Sequence, residues 1–179
     1  MTKLMGVTKI HRELVEHADV HDGHRVLEVG AGTGNLSVLA KRTVPGIALT
    51  STDPDPRALR CARRKSKDIT FERAFAENLP YEDASFDRVL SSLMLHHLGD
   101  DLKATALSGI RRVTAPGGTL LVADLVGHGH GFTGHKAMQQ AAFADDVPSL
   151  LRDAGFSAAE EVGRRSGRLG TVAFWRGVR

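Results

Sequence analysis

With 179 residues, 41% of them hydrophobic, the chain is long enough for one full core and has the composition of a soluble globular domain. The formal net charge of +3 is mild and by itself decides nothing about a nucleic-acid partner. The lone Cys61 excludes a disulfide framework or a cysteine metal site, and no apolar run approaches a membrane span or a secretory leader, so a cytoplasmic protein without membrane association is expected.

In chain order, Val7, Ile10, Leu14 and Val15 recur at helical spacing and predict an amphipathic helix over 7–18, followed by a turn at 21–24. Val26, Leu27 and Val29 predict a buried strand that stops at Gly30, Gly32 and Gly34. Leu36, Val38, Leu39 and Ala40 then predict a helix to about Thr43, ended by Pro45-Gly46. A second strand over 47–52 is stopped by Asp53-Pro54-Asp55-Pro56, where Asp55 and Pro56 also suit the cap and first turn of a helix through Lys65.

Alternation predicts a short third strand over 69–74, then a loop over 76–81, a fourth strand over 86–92 and an exit segment over 93–98. A helix over 102–113 ends at Ala115-Pro116-Gly117-Gly118, and a central fifth strand follows over 119–125. Residues 127–134 are rich in glycine and histidine and are expected to be mobile; helices are expected over 136–144 and 147–154, the latter behind Asp145 and Asp146. Two strands, 158–164 and 171–176, close the chain around Ser166-Gly167-Arg168 and must be antiparallel to each other.

Alternation of strands and helices predicts one α/β domain over 1–179: a lead-in (1–24), a cofactor-binding core (25–125), a mobile segment with helices (126–156) and antiparallel C-terminal strands (157–179). In a mostly parallel sheet, ligands bind beyond the carboxyl ends of the central strands. The glycine loop, Asp53, the Ala76 loop, Ser91 to His97 and Asp124 all fall there.

A strand that breaks into a helix through glycines brings backbone close to a ligand. The spacing G-x-G-x-G, with Glu28 two residues ahead of Gly30, differs from the G-x-G-x-x-G of dinucleotide sites. It suits a ligand carrying an ammonium and a sulfonium better than a pyrophosphate. Asp53 lies nineteen positions after Gly34, where an acid can accept from both ribose hydroxyls; its bland alternative is a turn cap.

Glu28 to Gly34, Asp53, Ala76 to Pro80, the F-D strand ending in Leu95-His96-His97-Leu98, and Arg111 to Asp124 with its R-V-x-x-P-G-G turn and fifth strand come in the order of a known family. Together they resemble the class I S-adenosylmethionine-dependent methyltransferases, in particular the small type related to ubiquinone/menaquinone biosynthesis enzymes. The resemblance implies a Rossmann-like, seven-stranded sheet of order 3-2-1-4-5-7-6 with strand 7 antiparallel, and methyl transfer to a small-molecule acceptor.

It also implies roles. Gly30, Ala31, Gly32 and Gly34 pass under the methionine part of S-adenosylmethionine, and Glu28 either faces its amino end or holds the loop. Asp53 takes the ribose diol, Pro54 lies against the adenine and Ala76 offers it a backbone N–H. Ser91 belongs to the same cofactor-binding set. The residue before the alanine is usually an aspartate that accepts from the adenine amino group. Here it is Phe75, so Glu77 or a backbone carbonyl replaces it, or the adenine is held less tightly.

His96 and His97 are candidates for a general base, against the reading that they pack or cap while positioning supplies the rate. His128, His130 and His135 invite a metal reading, but without organised structure a lid is the better expectation and no metal is assigned. Residues 163–179 hold five arginines and no acid, either a solvated face or a contact for an anionic substrate or RNA; a nucleic-acid partner is not expected.

The alternatives in other classes are a nicotinamide-dependent oxidoreductase, disfavoured by the glycine spacing and the lack of a Tyr-x-x-x-Lys pair, and a non-catalytic S-adenosylmethionine-binding protein. No Asn-Pro-Pro-Tyr or Pro-Cys motif points to a nucleobase acceptor. Few segments are available to cover an acceptor, so the site is expected to be open or completed by a second subunit in a homodimer.

Overall fold

The computed structural model describes residues 2–126, 146–167 and 170–179. Its centre is β1 (Arg25–Val29), where four consecutive buried residues match a strand covered on both faces. β1 pairs in parallel with β2 (Ala48–Thr52) on one side and β4 (Phe86–Ser92) on the other. With β3 (Thr70–Glu72), β5 (Thr114–Val126), β6 (Ala158–Gly167) and β7 (Gly170–Val178) the sheet has the order β3-β2-β1-β4-β5-β7-β6. β7 runs antiparallel to both β5 and β6, as the family resemblance implies.

Period-two alternation divides the core between the two faces of the sheet. Val26, Leu49, Leu90, Leu121 and Phe174 pack with Leu14 of α1 (Thr2–His17), Leu36 of α2 (Asn35–Thr43) and Leu59 of α3 (Pro56–Lys65). Leu27, Val89, Leu120, Val122 and Trp175 face the other way, toward Leu107 and Ile110 of α4 (Asp100–Val113) and Leu151 of α5 (Val147–Asp153). Among the described residues, no helix is long and apolar enough to cross a membrane.

Besides a shorter β3 and an α4 that starts two residues early, the boundaries differ from the sequence expectation at three places. α1 begins at Thr2, because apolar spacing marks the buried stripe and not where the helix starts. β5 begins at Thr114 instead of 119: the P-G-G stretch is an irregular part of the strand. There Gly117 takes φ +74°, its N–H donates to the Arg179 carbonyl at 3.0 Å, and the Arg179 N–H donates back to Gly118 at 3.0 Å. β6 and β7 are longer than expected, pairing out to Gly167 and Gly170. The expected mobile stretch and helix between 127 and 144, Asp145, and the turn residue Arg168 lie outside the described residues.

Register fixes the loop between β1 and α2. Val29 lies opposite Thr52, so both Gly30 and Ala31 donate to the Thr52 carbonyl at 2.9 Å. Gly30 (φ +83°) could not bear a Cβ, which would sit 2.6 Å from Met94. Gly34 (φ +76°) starts α2 with no side-chain cap, and a Cβ there would meet Ala62 at 2.9 Å. A tie comes from across the loop: Glu28 accepts from the hydroxyl of Ser37, in the first turn of α2, and from Ser51 Oγ at 3.4 Å. Asp55 caps α3 as expected, accepting from the Arg57 N–H at 2.7 Å.

Glu28 is 2% exposed, and burial pushes its carboxyl up to about 7, against the serine hydrogen bonds and with help from the nearby Asp53 charge. Between its ordinary value of 4.5 and about 7 the folded state therefore holds a proton that the unfolded chain releases. Stability from this group is complete below that window and is lost as pH rises through it, by on the order of 2–3 kcal/mol. Glu28→Gln keeps a hydrogen-bonding side chain and removes the titration. In urea unfolding from pH 4.5 to 7.5, the variant is expected to gain stability relative to the parent as pH rises. A constant difference between the two curves would show that Glu28 ionises as freely in the fold as in the unfolded chain.

Candidate functional site

Beyond the carboxyl ends of β1, β2 and β4 lies a cavity of about 540 Å³. Its floor is the glycine loop: Glu28, Gly30, Ala31 and Gly32 all line it. Gly34 does not; it sits behind the loop against α3 and β3, so its contribution is the entry angle of α2.

Four amides of this loop, those of its three glycines and of Ala31, are already committed. Gly30 and Ala31 donate to Thr52, Gly32 donates to Asp53 Oδ2 at 2.7 Å and Gly34 to the Ala31 carbonyl at 2.8 Å. A pyrophosphate needs such N–H groups free. Asp53 also accepts from the Asp55 N–H through Oδ1 at 2.9 Å, so its turn-cap role is real. A carboxylate has about four acceptor positions, and two remain for a pair of hydroxyls. Asp53 is thus also structural: its carboxylate ties the glycine loop to the end of β2.

The opposite wall is formed by Pro54, Ala74, Phe75, Ala76 and Glu77. Phe75 is 48% exposed and its ring faces the Arg73 guanidinium at 6.0 Å, while Arg73 Nε donates to the Pro54 carbonyl at 3.1 Å. Arg73 thus joins the two sides of this wall. The Phe75 carbonyl accepts from the Asn78 N–H at 3.0 Å, which leaves Glu77 as the acid on this side of the cavity.

The third wall follows β4. Ser91 is buried away from the cavity and its Oγ has no partner; the neighbouring Ser92 lines the cavity instead, because successive residues of a strand point to opposite sides. Leu93 takes φ +54°, held by donation of its N–H to the Ala123 carbonyl at 2.7 Å, and this turn brings Met94 onto Gly30 and His97 into the wall. Left-handed backbone at a leucine costs about 1–2 kcal/mol, the kind of strain that collects at functional sites.

The two histidines separate here. His96 is not a cavity residue: its side chain is 9% exposed and its Nδ1 lies 2.6 Å from Oδ1 of the fully buried Asp124. Asp124 also accepts the backbone N–H of His96 at 3.2 Å and of Leu125 at 2.7 Å. Facing an acceptor-only carboxylate, His96 carries its proton on Nδ1. His97 packs against it with ring centroids 4.0 Å apart. Burial, then the neighbouring His96, lower the His97 pKa below 6.5, and Asp124 opposes this only partly. His97 is therefore a neutral imidazole at neutral pH, open to the cavity.

His11 was missed by the sequence reading. It comes from α1, lines the same cavity, has no hydrogen-bond partner among the described residues, and is lowered to about 4 by burial. The signal was present: four residues separate it from both Val7 and Val15, so it falls on the buried stripe of α1. His128, His130 and His135 lie outside the described residues.

The free polar groups of the cavity thus include carboxylate oxygens on Asp53 and Glu77, the Ser92 hydroxyl and two neutral imidazoles. They suit a ligand rich in donors and positive charge, and the dimensions fall in the usual range for small-molecule sites.

Known proteins agree with this geometry. Residues 26–118 match the family described as "Methyltransferase domain". The ubiquinone/menaquinone biosynthesis C-methyltransferase of Bdellovibrio bacteriovorus is 38% identical over 125 residues, 67% of this chain and 52% of that protein. The chain spans about half the length of the curated relatives it matches. Among solved structures, an S-adenosylmethionine-dependent methyltransferase from Aquifex aeolicus superposes with a TM-score of 0.74 at 16% identity, covering 94% of this chain and 89% of that one. The [4+2]-cyclase SpnF superposes with a TM-score of 0.72 at 26% identity, covering 87% and 59%. By its matched sequence and its sheet order, the chain belongs to the methyltransferase-domain family, of the class I S-adenosylmethionine-dependent type.

Proposed function

We propose that this chain transfers a methyl group from S-adenosylmethionine to a small-molecule acceptor at the cavity above the glycine loop. The observation that carries the reading is the commitment of the loop amides to Thr52 and Asp53, beside carboxylates with acceptor positions to spare. Such a surface receives hydroxyls, an amino group and a cation, and it offers little to the pyrophosphate of a nicotinamide cofactor.

Bound there, S-adenosylmethionine supplies an electrophilic methyl group on a sulfonium. Gly30 to Gly32 pass beneath the methionine part, and Glu28 holds the loop from below. Asp53 accepts the ribose diol with its remaining acceptor positions. Pro54 and Phe75 flank the adenine, the Ala76 N–H meets the ring edge, and Glu77 accepts from the amino group where the family usually has an aspartate before the alanine.

His97 takes the proton that the acceptor loses. Its imidazole is neutral and lines the cavity, and the stack on His96, itself fixed by Asp124, holds the ring in place. Exclusion of water and alignment of acceptor and methyl group supply the rest of the rate.

Asp53→Asn removes one charged oxygen while keeping an acceptor for the loop. In calorimetry with S-adenosylhomocysteine it is expected to weaken binding by about 1.5–3 kcal/mol, the worth of a hydrogen bond to a charged group. Unchanged affinity would remove Asp53 from the ribose contact. His97→Asn is expected to bind the cofactor product normally and to lower kcat by roughly 10²–10⁴-fold. The acid limb of the parent's pH–rate profile should lie below the ordinary histidine value of 6.5, because the folded pKa is lowered and activity is lost only as pH falls through it. Turnover of the folded His97→Asn protein within about threefold of the parent would leave positioning as the source of rate.

A further inference from the structure

The arginines that stand out in the sequence are not the cations the fold leaves uncompensated. Arg164 pairs with Glu161 at 2.6 Å, Arg165 with Glu13 at 2.6 Å and Arg176 with Glu160, while Arg179 donates to the carbonyls of Arg112 and Thr114. Three of the four described arginines of this stretch are therefore paired with glutamates.

The β3 edge of the sheet is different. Residues 56–67, which comprise α3 and the two positions after it, hold six cations and no acid. None of the ion pairs found among the described residues involves this helix. Between the C-terminal ends of α2 and α3 lies a groove of about 700 Å³ lined by Lys41, Arg42, Arg64, Lys65 and Lys67, with Asp68 the one acid in its wall.

Cations at helix C-termini are ordinary complements of the helix dipole, and two of these five are held by hydrogen bonds within the protein. Lys41 Nζ donates to the carbonyls of Pro45 at 2.8 Å and Ile47 at 2.6 Å, and Lys65 Nζ to Asn35 Oδ1 at 2.6 Å. Arg42, Arg64 and Lys67 make no hydrogen bond or ion pair with any described residue, and Lys67 lies beyond the end of α3. Three unpartnered cations beside two more in one concavity repel one another, and a bound anion relieves that repulsion.

We infer that this groove binds a small anion with more than one negative charge, of the polyphosphate or phosphate-ester class, at a site separate from the cofactor cavity. Two guanidinium forks match phosphate oxygens, and the groove has the size of a small-molecule site. It shares no lining residue with the cofactor cavity, so both ligands fit at once. The inference does not depend on methyl transfer.

The test is calorimetry of the full chain with pyrophosphate at constant ionic strength, alone and with S-adenosylhomocysteine present. Saturable one-to-one binding is expected, unchanged by S-adenosylhomocysteine. It should weaken at least about tenfold in the Arg42→Glu/Arg64→Glu double variant, whose side chains are exposed, while Arg176→Glu, at a paired position, stays within about threefold. No saturable binding, equal loss in both variants, or competition with S-adenosylhomocysteine would each overturn it. So would a short oligouridylate that binds more tightly than pyrophosphate and depends on Arg57 and Arg60. Those two continue the row from Arg64 along α3 outside the groove, and that result would make the face a nucleic-acid track.

Discussion

One buried carboxyl joins the three pieces from which the cavity is built. Glu28 rises from β1, receives the Ser37 hydroxyl from the first turn of α2, and reaches Ser51 on β2. A loop that breaks from strand to helix through three glycines has little of its own to hold it. With its far end tied to Glu28 through Ser37 and its near end fixed by two amides on the Thr52 carbonyl, it has one shape. Asp53 can then tie Gly32, and the open acceptor positions of its carboxylate face the cavity. The tie carries a cost, a carboxyl whose pKa burial raises, and this accounts for a charged residue type standing where a central strand otherwise keeps apolar ones.

The other side of the cavity depends on a second buried acid. Asp124, near the end of β5, fixes the backbone and ring of His96, which in turn backs His97. The strained Leu93 is what turns the chain from β4 toward this arrangement. Two neighbouring histidines of the same type thus take different places: one is structural, the other is exposed to the cavity. Fold alone does not decide the chemistry, since a [4+2]-cyclase shares this sheet; the groups in the wall have to be argued individually.

Most of the fold was legible from periodicity and from glycine, proline and aspartate punctuation. β4 has the expected bounds, and the Asp55 cap and the glycine loop lie where the sequence puts them. The sheet order came from the family resemblance and not from periodicity. The early start of β5 was hidden because P-G-G reads as a turn, and only pairing with the distant Arg179 makes it strand. His11 was hidden because a histidine on an apolar stripe reads as polar unless the neighbouring wall is known. Ser91 and Ser92 could not be told apart without the direction of the strand. Nor could charge runs report pairing: Arg164, Arg165 and Arg176 find glutamates on β6 and α1, while the arginines of α3 form no ion pair with a described residue.

The choice of cofactor turns on a glycine loop whose Gly30, Ala31 and Gly32 amides are already bonded within the protein. Titration calorimetry of S-adenosylhomocysteine and of NAD against the same preparation tests this most directly. Saturable one-to-one binding of S-adenosylhomocysteine, with no measurable heat from NAD, is the predicted result. Saturable NAD binding without S-adenosylhomocysteine binding would contradict it, because a pyrophosphate would then be occupying amides that the structure gives to Thr52 and Asp53.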